Sequence, residues 1–479
     1  MRLEALAVAL TVAASGGCRE RPEPSGHVVS ASTASGATAP SSRTAALPSS
    51  TAALPSSAAA PPTRATAAPT PARHLILLTV DALRADMPWL GYPRAIAPNL
   101  TRFAERSVVF SHAYALSSYT SMSLAGLMSG RYPSELPRDG RATSSFGPET
   151  TMLAEVLGDR GFHTLGVHGH VYFLGDTGIA QGFKEWHVVP KITSLPAREG
   201  HVVDDKIADM LLESLAAHER ERPEQRLFAW AHFMDPHFSY APHEDARYRG
   251  SPYETDGAPG QPVPPGTALG EIGQRLRNMY DGEVTHTDRQ LGRVFDYLAK
   301  RPYFRDAAVV VTADHGEAFG EHKSYFEHGF LLYDVTTRVP LLIQAPGLAP
   351  RRIAKRRSHI DLARTVFELL AQKAPDSFRG ESLVGEARGK PAAARPVLID
   401  MPYTDQTPRR RALIQGDIKV VVTETEDQPL LFDLARDPGE QDDLATTRPK
   451  LRDEMMNAWK AQDQALPDFP APRRSHRAY

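Results

Sequence analysis

The chain has 479 residues, a formal net charge of −2 and 41% hydrophobic residues, which is enough apolar material for a large core. The near-neutral balance gives no charge-based reason to expect nucleic acid or an anionic membrane surface as a partner. One cysteine excludes any disulfide within the chain.

Residues 1–18, MRLEALAVALTVAASGGC, place one arginine before a short apolar run, then small residues, then Cys18. The run is too short to span a bilayer and has the proportions of an export signal. Ser-Gly-Gly-Cys is similar to a bacterial lipoprotein cleavage site, with Ser15 where leucine is usual. The expectation is an exported protein, periplasmic or at the cell surface, lipid-anchored through Cys18. The alternative is a plain secretory signal with an incidental cysteine. Residues 19–72 are rich in Ser, Ala, Thr and Pro and include AALPSS twice. They lack the apolar content to offset ordering entropy and read as a flexible tether.

The main folded domain is expected over 73–390. LILLTV (75–80), LFAWAHF (227–233), AAVVVTA (307–313) and VPLLIQA (339–345) are continuous apolar runs. Such runs read as strands buried on both faces, mostly parallel and covered by helices. Amphipathic stretches alternate with them: APNLTRFAERS, TMLAEVLGDRG, DDKIADMLLESLAAHER and THTDRQLGRVFDYLAKR. This alternation predicts an α/β fold, a large mixed, mostly parallel sheet sandwiched by helices. From about 391 to 479 the pattern changes to PVLIDMP, RALIQGDIKVVVTE and PLLFDLARDPGEQDDL, then RPKLRDEMMNAWKAQDQAL. That predicts a small C-terminal antiparallel sheet plus helix.

Polar groups close several strand runs, where open α/β sheets hold their ligands. Asp81 ends the first run, and Asp314 and His315 end the third. A carboxylate there serves either as a helix cap or loop hydrogen-bond partner or as a metal ligand. Two aspartates and a histidine suit a divalent cation.

Several blocks together resemble the sulfatase family of the alkaline-phosphatase-like superfamily. They are ILLTVDALRAD, APNLTRFAERSVVFSHAYA, GRYPSE, DPHFSYAP, YDGEVTHTDRQLGRVFDYL, VVVTADHGEAFGEH with HGFLLYDVTTRVPLLIQAPG, and LLFDLARDPGEQDDLA. They run in order from about residue 74 to 460. The resemblance implies the same fold and one divalent ion (Ca, Mg, Mn or Zn) held by Asp81, Asp314 and His315. Many sulfatases carry a second aspartate where this chain has Ala82; single-aspartate versions resemble the phosphonate monoester hydrolase branch. VHGH (167–170) is similar to the family's GKWH block, with His170 on its histidine and His168 on its lysine. His237 falls near the leaving group, and His328 near a substrate-binding lysine or histidine. The work implied for His170, His237 and His328 is contact with the anion and proton donation.

In SSYTSMSLAGLMSGRYPSE (117–135), the family's Cys-x-Pro-Ser-Arg block falls on Thr120, Met122, Ser123 and Leu124. The family cysteine is converted to formylglycine, which threonine cannot become by the known route, and neither Ser118 nor Ser121 is in register. Leu124 removes a cation. Some superfamily relatives, such as phosphoethanolamine and phosphoglycerol transferases, attack with an unmodified threonine. The implied function is therefore a formylglycine-independent hydrolase or transferase acting on a sulfuric or phosphoric ester through Thr120, with phosphorus favoured. Its substrate would be a small-molecule, glycan or lipid-headgroup ester. The alternative is a catalytically silent relative that binds anionic glycans or lipids.

Overall fold

The computed structural model describes residues 70–141, 143–192, 203–238, 240, 269–322 and 325–469. The expected leader, the tether up to residue 69 and the Pro/Gly-rich loop 241–268 lie outside the described residues. Ala72 is already docked: it is buried, and its N–H donates to Leu369 O at 2.9 Å.

The chain runs through β1 (His74–Val80), α1 (Pro98–Glu105), β2 (Val108–Tyr114), α2 (Thr120–Ser129), α3 (Leu153–Asp159), β3 (His163–His168) and β4 (Glu185–Val188). It continues with α4 (Asp204–Glu221), β5 (Leu227–Phe233), α5 (Glu271–Lys300) and β6 (Ala307–Ala313). A short pair, β7 (Ala318–Phe319) and β8 (Phe326–Glu327), leads to the single turn α6 (Asp334–Thr337). Then come β9 (Arg338–Gln344), β10 (Arg351–Ser358), α7 (Leu362–Leu369) and the single turn α8 (Val384–Ala387). The last elements are β11 (Val397–Met401), β12 (Arg410–Gln415), β13 (Ile418–Thr423), β14 (Leu430–Asp433) and α9 (Pro449–Ala465).

The first ten strands, less β7 and β8, form one sheet in the order β10-β2-β9-β6-β1-β5-β3-β4. The centre is parallel, with β6, β1, β5, β3 and β4 all pointing the same way. β9 is the exception, antiparallel to both β2 and β6. The apolar runs explain the two-sided burial. Ile76, Leu78, Ala229, Ala231, Val309 and Val311 enter the core on one face. Leu75, Leu77, Phe228, Trp230, Ala308 and Val310 enter the core on the other. Alternating side chains of a strand point to opposite faces, so one continuous run feeds two cores. Each large apolar side chain so buried contributes about 1.5–3 kcal/mol.

β11 to β14 form the expected antiparallel sheet, with α9 packed on it. Buried charges join it to the rest of the fold. Arg411 pairs with Asp400 at 2.7 Å and donates to Ser134 Oγ at 2.7 Å. Lys419 reaches Asp334 at 2.8 Å and Glu440 at 2.8 Å.

Candidate active site

The parallel centre of the sheet brings its carboxyl ends to one place. Val80 is level with Phe233 on β5 and with Ala313 on β6, so Asp81 and Asp314 leave adjacent strands side by side. Ala82 then takes a left-handed turn at φ 56°. A non-glycine residue there costs roughly 1–2 kcal/mol. The turn aims the Ala82 N–H at Asp314 Oδ1, 3.2 Å away.

Asp81, Asp314 and His315 are fully buried and each offers a ligand atom within 4.8 Å of the other two. Asp81 Oδ1 and Asp314 Oδ2 have no hydrogen-bond partner, and Asp81 Oδ2 has only the long approaches of His170 Nε2 and His232 Nε2, each at 3.4 Å. The other oxygen of Asp314 is occupied by the N–H groups of Ala82 and of His315, the latter at 2.9 Å. His315 Nδ1–H donates to Gly316 O at 2.9 Å, which leaves a lone pair on Nε2. That atom lies 3.6 Å from Asp81 Oδ1 and 3.3 Å from Asp314 Oδ2. Buried carboxylate oxygens without donors, facing an imidazole lone pair, fit a divalent cation.

The electrostatics agree. Burial resists a charge on Asp81, but His237, His170, His232 and His315 outweigh it and hold its pKa well below the usual carboxylate range. Burial, and then the Asp81 charge, push Asp314 well above that range. Two carboxylates share one pocket that holds a single negative charge comfortably; a cation would displace the shared proton.

Thr120 is the first residue of α2, whose ten residues are all buried. Thr120 Oγ1 lies 3.0 Å from His315 Nε2 and donates to its lone pair. Ser123, one turn on, donates to Asp314 O at 2.5 Å and ties the helix to β6. Leu124 packs into the core on the α2 face of the sheet. Its position is an apolar one, which accounts for the missing cation. Gly130, at φ 59°, ends the helix in the left-handed conformation that suits glycine.

The remaining predicted histidines also converge. His328 stacks on His315 with ring centroids 4.1 Å apart, and His237 meets His328 edge-on at 4.7 Å. Burial alone would lower the pKa of His328. The Glu317 carboxylate, 3.0 Å from its Nδ1, reverses the sign and raises it. Burial lowers His237 despite nearby Asp81, and its Nδ1–H is tied to Phe238 O. His170 Nε2 lies 3.4 Å from Asp81 Oδ2. His168 packs under the site against Trp186 and Phe173, and its Nδ1 accepts the N–H of His170 at 3.1 Å.

Two participants escaped the sequence reading. Glu317 sits in the quoted Asp-His-Gly-Glu run, but only the fold shows that it partners His328. His232 lies inside LFAWAHF, which reads as purely apolar. It is fully buried, and its Nε2 is 3.4 Å from Asp81 Oδ2. A polar residue inside a buried run needs a partner, and that was the available signal.

A family model described as Sulfatase matches residues 73–372. Choline-sulfatase of Rhizobium meliloti (strain 1021) is 24% identical over 405 residues, covering 73% of this chain and 77% of that protein. The multifunctional alkaline phosphatase superfamily protein PehA of Trinickia caryophylli is 34% identical over 195 residues. That match spans 37% of this chain and 37% of the relative's length. Among solved structures, the phosphonate monoester hydrolase of Agrobacterium radiobacter superposes with a TM-score of 0.68 at 18% identity. It covers 84% of this chain and 96% of that one, and at this identity the likeness speaks for the fold.

Proposed function

This chain belongs to the sulfatase family, and from that premise we propose that it is a metal-dependent phosphoric-ester hydrolase or transferase that attacks through Thr120. The substrates we favour are phosphodiesters or phosphonate monoesters, or a phosphoryl group passed to an alcohol. The observation that carries this reading is the Thr120 hydroxyl, 3.0 Å from His315 in the Asp81, Asp314 and His315 cluster, where the family has its formylglycine precursor.

Asp81, Asp314 and His315 would hold the cation, which when bound supplies Lewis acidity and offsets negative charge. Thr120 Oγ1 forms the bond to phosphorus at the start of α2, where helix amides favour an anion. The opposed shifts of His328 and His237 separate their roles. His328, kept protonated by Glu317, puts a positive charge on the anion and a proton within reach of the leaving oxygen. His237 presents a neutral Nε2 that accepts a proton from the attacking hydroxyl or water.

Phosphorus is favoured for a chemical reason. A threonine sulfate has no second hydroxyl with which to expel sulfate, so attack at sulfur leaves a trapped ester. A phosphothreonine can be resolved by in-line attack of water or an alcohol. One protonated histidine, His328, as the contacting side-chain cation also suits a monoanionic diester better than a dianionic monoester.

The test is turnover by purified protein on aryl sulfates, phosphate monoesters, phosphodiesters and phosphonate monoesters, each with several divalent metals. Diester or phosphonate turnover exceeding sulfatase turnover is expected. Fast sulfate release with Thr120 unmodified contradicts the proposal. Export and lipid attachment through Cys18 belong to the same proposal, supported by the sequence of residues 1–18. Among the described residues, no helix is long and apolar enough to cross a membrane.

A further inference from the structure

Asp81 has a second face. Its Oδ2 lies 3.4 Å from His170 Nε2 and 3.4 Å from His232 Nε2. All three side chains are fully buried. By composition, one carboxylate and two imidazoles would suit a second metal ion sharing Asp81 as a bridge. The hydrogen bonds at the far nitrogens point elsewhere.

His170 Nδ1 accepts the backbone N–H of Tyr172 at 3.0 Å. A backbone amide can only donate, so the neutral ring carries its proton on Nε2. A protonated Nε2 has no lone pair for a metal. His232 reaches the same state through a relay across β1 and β5, where Thr79 and His232 stand level. Trp230 Nε1–H donates to Thr79 Oγ1 at 2.9 Å. The single Thr79 proton then has two acceptors: His232 Nδ1 at 2.9 Å and Ala231 O at 3.4 Å. Asp81, a carboxylate that only accepts, lies 3.4 Å from His232 Nε2, which favours the His232 proton on Nε2 with Thr79 donating to Nδ1. His315, with Nδ1–H given to Gly316 O, has the opposite tautomer.

We infer that His232 and His170 are positioning residues whose two N–H groups hold Asp81 Oδ2, so that Oδ1 faces one cation, and that this corner is not a second metal site. The inference rests on the metal reading above. It assigns His170, expected from the sequence to contact the substrate anion, to act through Asp81. Outer partners of this kind change metal affinity about 10–100-fold when lost.

The experiment is calorimetric titration of chelator-stripped, full-length protein with Mn²⁺ and with Zn²⁺. Wild type should bind one ion per chain. His232→Leu should still bind one, about 10–100-fold more weakly. His232→Gln, which keeps an N–H at the same reach, should recover most of the affinity. Thr79→Val, which breaks the relay without touching Asp81, should weaken binding as well, and it serves if His232→Leu does not fold. Two ions per chain, with the second lost in His170→Leu or His232→Leu, would overturn the inference and leave the functional reading intact. So would unchanged affinity in both Thr79→Val and His232→Gln together with unchanged affinity in His232→Leu. No ion bound to wild type at all would sink the functional reading, and this inference with it.

Discussion

Asp314→Asn should stabilise the metal-free protein while abolishing its response to metal. A carboxylate oxygen of Asp314 and one of Asp81 lie within 4.8 Å of each other, both side chains fully buried. At an effective dielectric of about 20, two such charges repel by about 3–4 kcal/mol. Burial and Asp81 raise the Asp314 pKa well above its unfolded value. The folded state therefore binds the proton more tightly than the unfolded state, and stability falls as pH rises from the ordinary carboxylate range through the folded pKa. Asparagine keeps an Oδ1 for the N–H groups of Ala82 and His315 and replaces the donor-less oxygen with an amide. The gain at about pH 8 should approach 1–3 kcal/mol, bounded above by the repulsion, and should vanish near pH 4. Wild type with metal at a hundredfold excess over its Kd should gain about 2.7 kcal/mol, and the variant nothing. Denaturant unfolding with chelator and with Mn²⁺, at both pH values, measures all four numbers. A variant less stable than wild type without metal at pH 8, or one that keeps the metal gain, refutes the reasoning.

Three further outcomes follow, two from particular contacts and one from the sequence of residues 1–18. Activity should fall as pH rises through the raised pKa of His328, and Glu317→Gln should move that limb of the kcat/KM profile to lower pH, because it removes the carboxylate that sustains the proton. Gly316→Ala should cost at least about 1–3 kcal/mol in an unfolding titration, since its new Cβ would sit 2.2 Å from the backbone oxygen of Val335. Cys18→Ser should shift the protein from the membrane to the soluble exported fraction in a bacterial host; unchanged fractionation means that Cys18 carries no lipid.

Much of the sheet was legible because β1, β5 and β6 are unbroken apolar runs that end in the residues of the site. The same property hid their directions: VPLLIQA reads like its neighbours, yet β9 runs antiparallel to both of its partners. β10, RRIAKRRS, escaped because it is an edge strand, protected by charge rather than marked by apolar alternation. β3, HTLGVH, is broken by Gly166, which admits the Trp186 ring where a Cβ would lie 2.4 Å from it. At the site, Asp81, Asp314 and His315 could be found because each follows a buried run. The work of His170 could not, since a position in a block says nothing of which nitrogen carries the proton. His232 stayed hidden because its partners, Thr79 and Trp230, are brought to it only by strand register.

The central claim is that Thr120 Oγ1 forms the bond to phosphorus. Intact-mass analysis with peptide mapping, after rapid quench of metal-loaded protein with an aryl phosphonate monoester or phosphodiester, tests it directly. The expected result is an adduct of the phosphoryl or phosphonyl group on Thr120 that decays at the rate of turnover, and that is absent, with turnover, in Thr120→Val. Full turnover by Thr120→Val, or an adduct on another residue that forms and decays at the catalytic rate, would contradict it.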